Sequence, residues 1–356
     1  MRARARQDNE RVISQTDFDM TVAVVVVNWN SGNLLRRCLE SLNSQSRPPD
    51  RVIVVDNGST DDSIAQASSS LNGVQLIRLS RNMGFARANN VGANAAKAFD
   101  ALALLNPDAF AEPGWLKALV EAAEQEPTVA AFASQMQFSA DPECLDGAGD
   151  SYHVAGRAWR NGHGTPTWAW PQANVEVFAP CAAAALYRRN AFEAVYGFDD
   201  RFFCYFEDVD LGFRLRLAGY RCLYVHSAVV RHVSSALSGY RSDFAIYHGE
   251  RNMIWTFVKD MPSWLFWWYL PQHVMLNIAA LAFYPWRGQG KVVIKAKLDA
   301  IRDLGPVLEQ RRIVQRARVI STRAMKLAFS RGVTVPYKRL AEHGRAWGTL
   351  SRTPKE

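Results

Sequence analysis

Residues 21–27 read TVAVVVV, an almost unbroken β-branched run. A strand of that kind has to be covered on both faces, as in the middle of a parallel sheet. The polar stretch NWNSGN ends it, and residues 33–43 then place Leu34, Leu35, Cys38, Leu39 and Leu42 on one helical face. The same alternation follows twice more. A second strand, residues 51–55, runs into Asp56-Asn57-Gly58-Ser59-Thr60-Asp61 with its helix after it, and a third, residues 74–79, ends at Arg81-Asn82-Met83-Gly84. Three strand–helix units in succession predict an α/β domain with a mostly parallel, right-handed central sheet. Ligands of such sheets bind beyond the carboxyl ends of the strands, the edge occupied by Asn28, Asp56 and Asn82.

With 48% hydrophobic and 21% charged residues, a chain of 356 has the core for one large domain or two ordinary ones, and disorder is excluded. No G-x-G-x-x-G follows the first strand and no G-x-x-x-x-G-K-[ST] occurs anywhere, which argues against nicotinamide enzymes and P-loop ATPases. The five cysteines show no C-x-x-C spacing, so neither a zinc knuckle nor a redox pair is expected and a reducing compartment fits better. The first 20 residues contain no apolar core of a secretory signal, and the expected location is the cytoplasm.

The acidic residues carry the candidate chemistry. Asp56, at a strand end, suits a ribose hydroxyl or a base N–H, although D-N-G is also good turn chemistry. A fourth strand, residues 101–105, ends at Asn106-Pro107-Asp108, where an oxygen ligand suits Mg²⁺ or Mn²⁺ and where a plain turn is the alternative. Glu207, Asp208 and Asp210 open a helix that ends at Gly219. Acids favour a helix N-terminus, but three exceed what a cap needs, and crowding raises the pKa of at least one toward that of a general base. A strand over residues 220–225 leads to His226 and then His232, a metal or diphosphate ligand if not simply structural. Residues 135–180, rich in Gly, Trp, His and Arg, read as a long functional loop, and residues 177–187 as a strand packed under the site.

Charge is concentrated at the end of the chain. Residues 287–356 hold 17 Lys and Arg against 5 Asp and Glu, whereas residues 1–286 sum to −4. Before this tail come residues 263–286, 24 residues without a formal charge and with eight aromatics, interrupted by Pro271, Gln272, His273 and Asn277. Trp and Tyr favour the headgroup layer and basic groups favour anionic lipid, so the expectation is an interfacial helical hairpin on a membrane surface, with an apolar helix buried in a second domain or a dimer as the alternative. Nucleic acid is not expected as a partner, since the tail carries no recognisable nucleic-acid motif. Helices after residue 287 are candidates for pairing two chains as a homodimer.

VVVVNWN, VVDNGSTDDS, NMGFARANNVG, LLNPDA, GFDDRFFCYFEDVDLGFRLRLAGYR and RHVSS, in this order and spacing, resemble glycosyltransferase family 2, and within it the bacterial rhamnosyltransferases. The resemblance covers roughly residues 20 to 260. It implies a GT-A nucleotide-sugar-binding fold, an inverting mechanism, a nucleotide-sugar donor and Mg²⁺ or Mn²⁺. On the family's pattern Asn28 and Asp56 contact the nucleoside, while Asn82, Gly84, Ala88 and Asn89 line the donor pocket. Asn106 and Asp108 stand where the family often has Asp-x-Asp, so metal binding falls to Asp108 with His232. Asp208 matches the catalytic base, with Glu207 as the fallback.

The resulting division is an N-terminal extension over residues 1–20, a transferase domain over 21–260 and a helical, membrane-associating region over 261–356. Within the domain, residues 21–110 form the nucleotide-binding half and 111–260 the acceptor half. The expected reaction moves L-rhamnose from dTDP-rhamnose to a polyprenyl-diphosphate-linked glycan at the inner face of the cell membrane. The alternatives are a UDP-hexose or UDP-N-acetylhexosamine donor, or a non-catalytic membrane-bound scaffold.

Overall fold

The valine run is buried throughout in β1 (Val22–Asn28). The computed structural model describes residues 20–234 and 242–342; most of the N-terminal extension, Ser235 of the RHVSS motif and the last 14 residues of the basic tail lie outside them. From β1 the chain forms α1 (Leu34–Asn43), β2 (Arg51–Asp56), α2 (Ser63–Gln66), β3 (Gln75–Arg78), α3 (Phe85–Ala95) and β4 (Ala101–Leu105). Next come β5 (Ala109–Ala111), α4 (Trp115–Gln125), β6 (Val129–Phe138), β7 (Asp141–Gly147), β8 (Asp150–Tyr152) and β9 (Ala158–Arg160). β10 (Val175–Val177), β11 (Ala184–Arg188), α5 (Arg189–Ala194), α6 (Glu207–Leu217) and β12 (Arg221–His232) complete the sheet region. Six helices follow: α7 (Asp243–Asp260), α8 (Ser263–Phe283), α9 (Gly290–Arg302), α10 (Leu304–Arg316), α11 (Thr322–Ala328) and α12 (Val335–Glu342).

Ten strands form one sheet in the order β10-β12-β6-β11-β4-β1-β2-β3, with β5 on β12 and β7 on β6. Two apolar clusters cover its faces: one holds the α1 residues Leu35, Cys38, Leu39 and Leu42 with α4, the other α3 and the inner face of α6. β1, β2, β3 and β4 are parallel, as expected, and their register sets Asn28 beside Asp56. The sheet as a whole is mixed rather than mostly parallel. β11 enters antiparallel between β4 and β6, and β10, β5 and β7 also pair antiparallel. Strand–helix periodicity reports a crossover, but it cannot report a later strand inserted from the opposite direction.

Other expectations need correction. Residues 135–180 are not a long loop, because β7 extends the main sheet and β8 and β9 form a hairpin of their own. Their short strands and glycine turns show too few residues per element for a period to register. Within residues 177–187 only Ala184 onward is strand β11; Val177 ends β10. The strand expected at 220–225 continues through a register shift to His232. In place of an interfacial hairpin there is one unbroken helix, α8, with Pro271 inside it. A proline removes one backbone bond and tilts a helix, but the burial of Leu265, Tyr269, His273, Leu276 and Ala280 along one side keeps α8 continuous. No helix among the described residues is long and apolar enough to cross a membrane.

Candidate active site

At the carboxyl ends of β1 and β2, Asn28 is fully buried and its side-chain amide donates to Asp56 Oδ1 (3.1 Å) and to Ser63 Oγ (3.0 Å). It therefore orients the Asp56 carboxylate. Asn57, which sequence reasoning passed over as turn chemistry, joins two loops. Its amide donates to Asn82 Oδ1 (3.0 Å), and its own Oδ1 accepts from the Met83 N–H (2.8 Å). Asn82 Oδ1 also caps the Gly84 N–H (2.9 Å). Gly84 has φ +88°, and a Cβ there would lie 2.7 Å from the Phe203 carbonyl oxygen, so only glycine lets the two loops meet. Ala88 and Asn89 are buried in α3, the Asn89 amide donating to the Phe85 carbonyl (3.0 Å). Asn106 is half-buried, its N–H donating to the Ala183 carbonyl (2.8 Å).

β5 pairs with β12 so that His232 opposes Ala109, next to Asp108. His232 Nε2 lies 3.3 Å from Asp108 Oδ1, and neither atom makes a hydrogen bond; both residues are buried. On its other side His232 Nδ1 lies 2.7 Å from Asp146 Oδ2, which also accepts from Arg160 (2.6 Å). Burial alone would depress the imidazole, but the two facing carboxylates push His232 up to about 9. Against its own burial, Asp146 is held well below the ordinary carboxylate range by Arg160 and the two neighbouring imidazoles, His163 and His232. A carboxylate fixing one imidazole nitrogen while the other faces a second carboxylate is the arrangement that supports a bound cation. Asp108 Oδ1 and His232 Nε2, 3.3 Å apart and with no other partner, fit a divalent metal that would displace the imidazole proton between them.

The three acids of α6 divide their roles. Asp210 is fully buried, accepting from Arg214 (2.9 and 2.6 Å) and pairing with Lys259, so it is spoken for. Glu207 is buried, and desolvation with the charge of Asp208 pushes it well up. Asp208 is half-buried; its Oδ2 accepts from the Ala182 N–H (3.1 Å) and its Oδ1 from the Val209 N–H (2.8 Å). Burial raises its pKa against these bonds and the nearby Arg160. Its carboxylate, that of Asp150 and the Cys181 thiol approach within 4.8 Å of one another. Asp150, desolvated and facing Asp208, is pushed well above the ordinary range.

Sequence reasoning missed Asp146, Asp150 and Arg160. The β8–β9 register opposes Asp150 to Arg160, and β7 on β6 delivers Asp146, which is how the groups around His232 and those around Asp208 become one charge cluster. Their D-x-x-x-D spacing in GAGD-type turns offered no periodic signal.

Residues 23–196 match the family model "Glycosyl transferase family 2". An N-acetylglucosaminyl-diphospho-decaprenol L-rhamnosyltransferase of Mycobacterium tuberculosis is 32% identical over 276 residues, 70% of this chain and 86% of that protein. The chain belongs to glycosyltransferase family 2. Within this family it is rhamnosyltransferase-like. An O-antigen chain rhamnosyltransferase of Salmonella typhimurium is 26% identical over 221 residues, 60% of this chain and 66% of that protein. Among solved structures, GalNAc-T7 with UDP, GalNAc and Mn²⁺ overlays with a TM-score of 0.64 at 15% identity, covering 92% of this chain and 58% of that one. A mannosyltransferase from Pyrobaculum calidifontis in complex with GDP-Man and Mn²⁺ gives 0.51 at 17% identity, covering 80% and 88%. These likenesses show the GT-A fold, and this family-2 chain is a glycosyltransferase.

Proposed function

We propose that this glycosyltransferase moves L-rhamnose from dTDP-rhamnose, with inversion, onto a polyprenyl-diphosphate-linked glycan at the cytoplasmic face of a membrane. The observation that carries the chemistry is Asp208. It is a half-buried carboxylate anchored by two backbone N–H groups, with its pKa raised toward that of a useful base. Rhamnosyltransferase relatives, one of them named for a decaprenyl-diphosphate acceptor, support the donor and acceptor classes.

In this reading Asp56 holds the nucleoside, oriented by Asn28, and the Asn57–Asn82–Gly84 junction shapes the donor pocket with Asn106 at its rim. Ala88 and Asn89 back that pocket from within α3. Asp108 and His232 would hold Mg²⁺ or Mn²⁺, which offsets charge on the departing diphosphate when bound. The base Asp208, with Glu207 behind it, takes the proton of the acceptor hydroxyl as that oxygen attacks the anomeric carbon. The bond to the nucleoside diphosphate breaks in the same displacement, so no side chain carries the sugar. Residues 21–110 then serve as the nucleotide half and 111–260 as the acceptor half.

Saturation-transfer NMR with a panel of nucleotide sugars, with and without Mn²⁺, tests this on wild type and Asp108→Ala. The expected result is Mn²⁺-dependent binding of dTDP-rhamnose that the variant loses. Preference for a UDP or GDP sugar would overturn the rhamnose assignment, and Mn²⁺-independent binding would overturn the metal site.

A further inference from the structure

α8 is inside out for a helix in water. One side is seated on the protein: Leu265, Tyr269, His273, Leu276 and Ala280 are buried, His273 is stacked on Phe257 at 4.0 Å, and its Nδ1 lies 2.9 Å from the Ala155 carbonyl oxygen. The opposite side is apolar too. Trp264 is 60%, Trp267 71% and Trp268 60% exposed, and Met275, Ile278 and Leu281 continue the same face at helical spacing. Over 21 residues at ~1.5 Å each this is an apolar strip about 30 Å long. A water-facing helix would carry charge along it.

We propose that this outer face docks on an anionic lipid bilayer, with α8 lying in the plane of the interface. From Ser263 to Leu298 the chain has no acidic residue and four basic ones. Lys297 is committed to Glu250 inside the protein and Lys295 to Asp299, which leaves Arg287 and Lys291 exposed beside Trp286 at the end of the strip. Indole rings at headgroup level flanked by cations complement acidic phospholipid. Crossing the bilayer is excluded for this helix, because its inner side is already bonded to protein. A second copy fits less well, since the chain from Ser263 to Leu298 offers no acid that a partner's Arg287 and Lys291 could meet. The use of this surface rests on the proposed lipid-linked acceptor, but its existence does not.

Flotation of the full chain with vesicles of phosphatidylcholine alone, or of phosphatidylcholine mixed with phosphatidylglycerol, tests the proposal. Wild type should float with the mixed vesicles, with a blue shift of Trp emission. Trp264→Ser/Trp267→Ser/Trp268→Ser should weaken binding by at least about tenfold, and Lys291→Glu should weaken it by about tenfold for the mixed vesicles alone. Both variants should keep wild-type turnover on a short water-soluble acceptor. Wild type that ignores both vesicles, or a dimer by light scattering that the triple variant converts to monomer without any vesicle binding, overturns it. Flotation without turnover on any acceptor would instead remove the proposed reaction and leave the lipid surface standing.

Discussion

Asp150→Asn reports how the two facing carboxyls share their protons. Burial and the negative charge of Asp208 both hold the proton on Asp150, so Asp208 ionises first while Asp150 stays neutral. Asparagine copies a protonated aspartic acid in shape and charge. The base form of Asp208 exists above its raised pKa, so turnover falls as pH drops through that value. This acid limb should therefore move by less than about 0.5 pH unit in the variant. The opposite order of ionisation gives a different number. Two charges no more than 4.8 Å apart repel by at least about 3.5 kcal/mol at an effective dielectric of ~20, or about 2.5 pH units. If Asp150 were the ionised partner, asparagine would pull the limb down by about that much. The assay is kcat against pH with both substrates saturating, and a fall of about two units would refute the assigned order.

Asp208→Asn should cut turnover by about 10²–10⁴ while nucleotide-sugar binding by NMR is unchanged; retained turnover transfers the role to Glu207. Gly84→Ala combines φ +88° with a Cβ 2.7 Å from the Phe203 carbonyl oxygen, so it should cost about 1–3 kcal/mol in urea unfolding and weaken donor binding. Wild-type values for both would show that the two loops part without cost. Lys259→Met removes the cation shared by the half-buried Asp199 and the buried Asp210; each keeps an arginine, Arg201 or Arg214, so the loss should be about 1–3 kcal/mol, and an unfolding midpoint unchanged from wild type would refute it.

What was legible in the sequence follows from the range of each signal. β1 could be read because β-branched residues fill consecutive positions, and Asp56, Asp108 and Asp208 because strand ends and a helix start are local landmarks. Asp146 and Asp150 could not, because what makes them notable is pairing: β7 on β6, and Asp150 opposite Arg160. The α8 strip was half legible. Its lack of charge was plain, but which side the protein would cover depends on tertiary partners, Phe257 on the preceding helix and Ala155, 118 residues from His273.

Asp208 and α8 are tied to one element. Phe203, Tyr205 and Phe206, just before α6, all have φ between +65° and +69°, a conformation that costs each such residue of order 1 kcal/mol or more. Asn252 of α7 offsets this by donating to the carbonyls of Phe202 (2.9 Å), Cys204 (3.0 Å) and Tyr205 (2.7 Å). Two turns further along α7, Lys259 bridges Asp199 and Asp210, so both ends of the segment that presents Asp208 are pinned to the same helix. Between these two residues α7 carries Phe257, on which His273 of α8 stacks. Hence α7 pins the segment that presents Asp208 from one side and, through Phe257, touches α8 from the other.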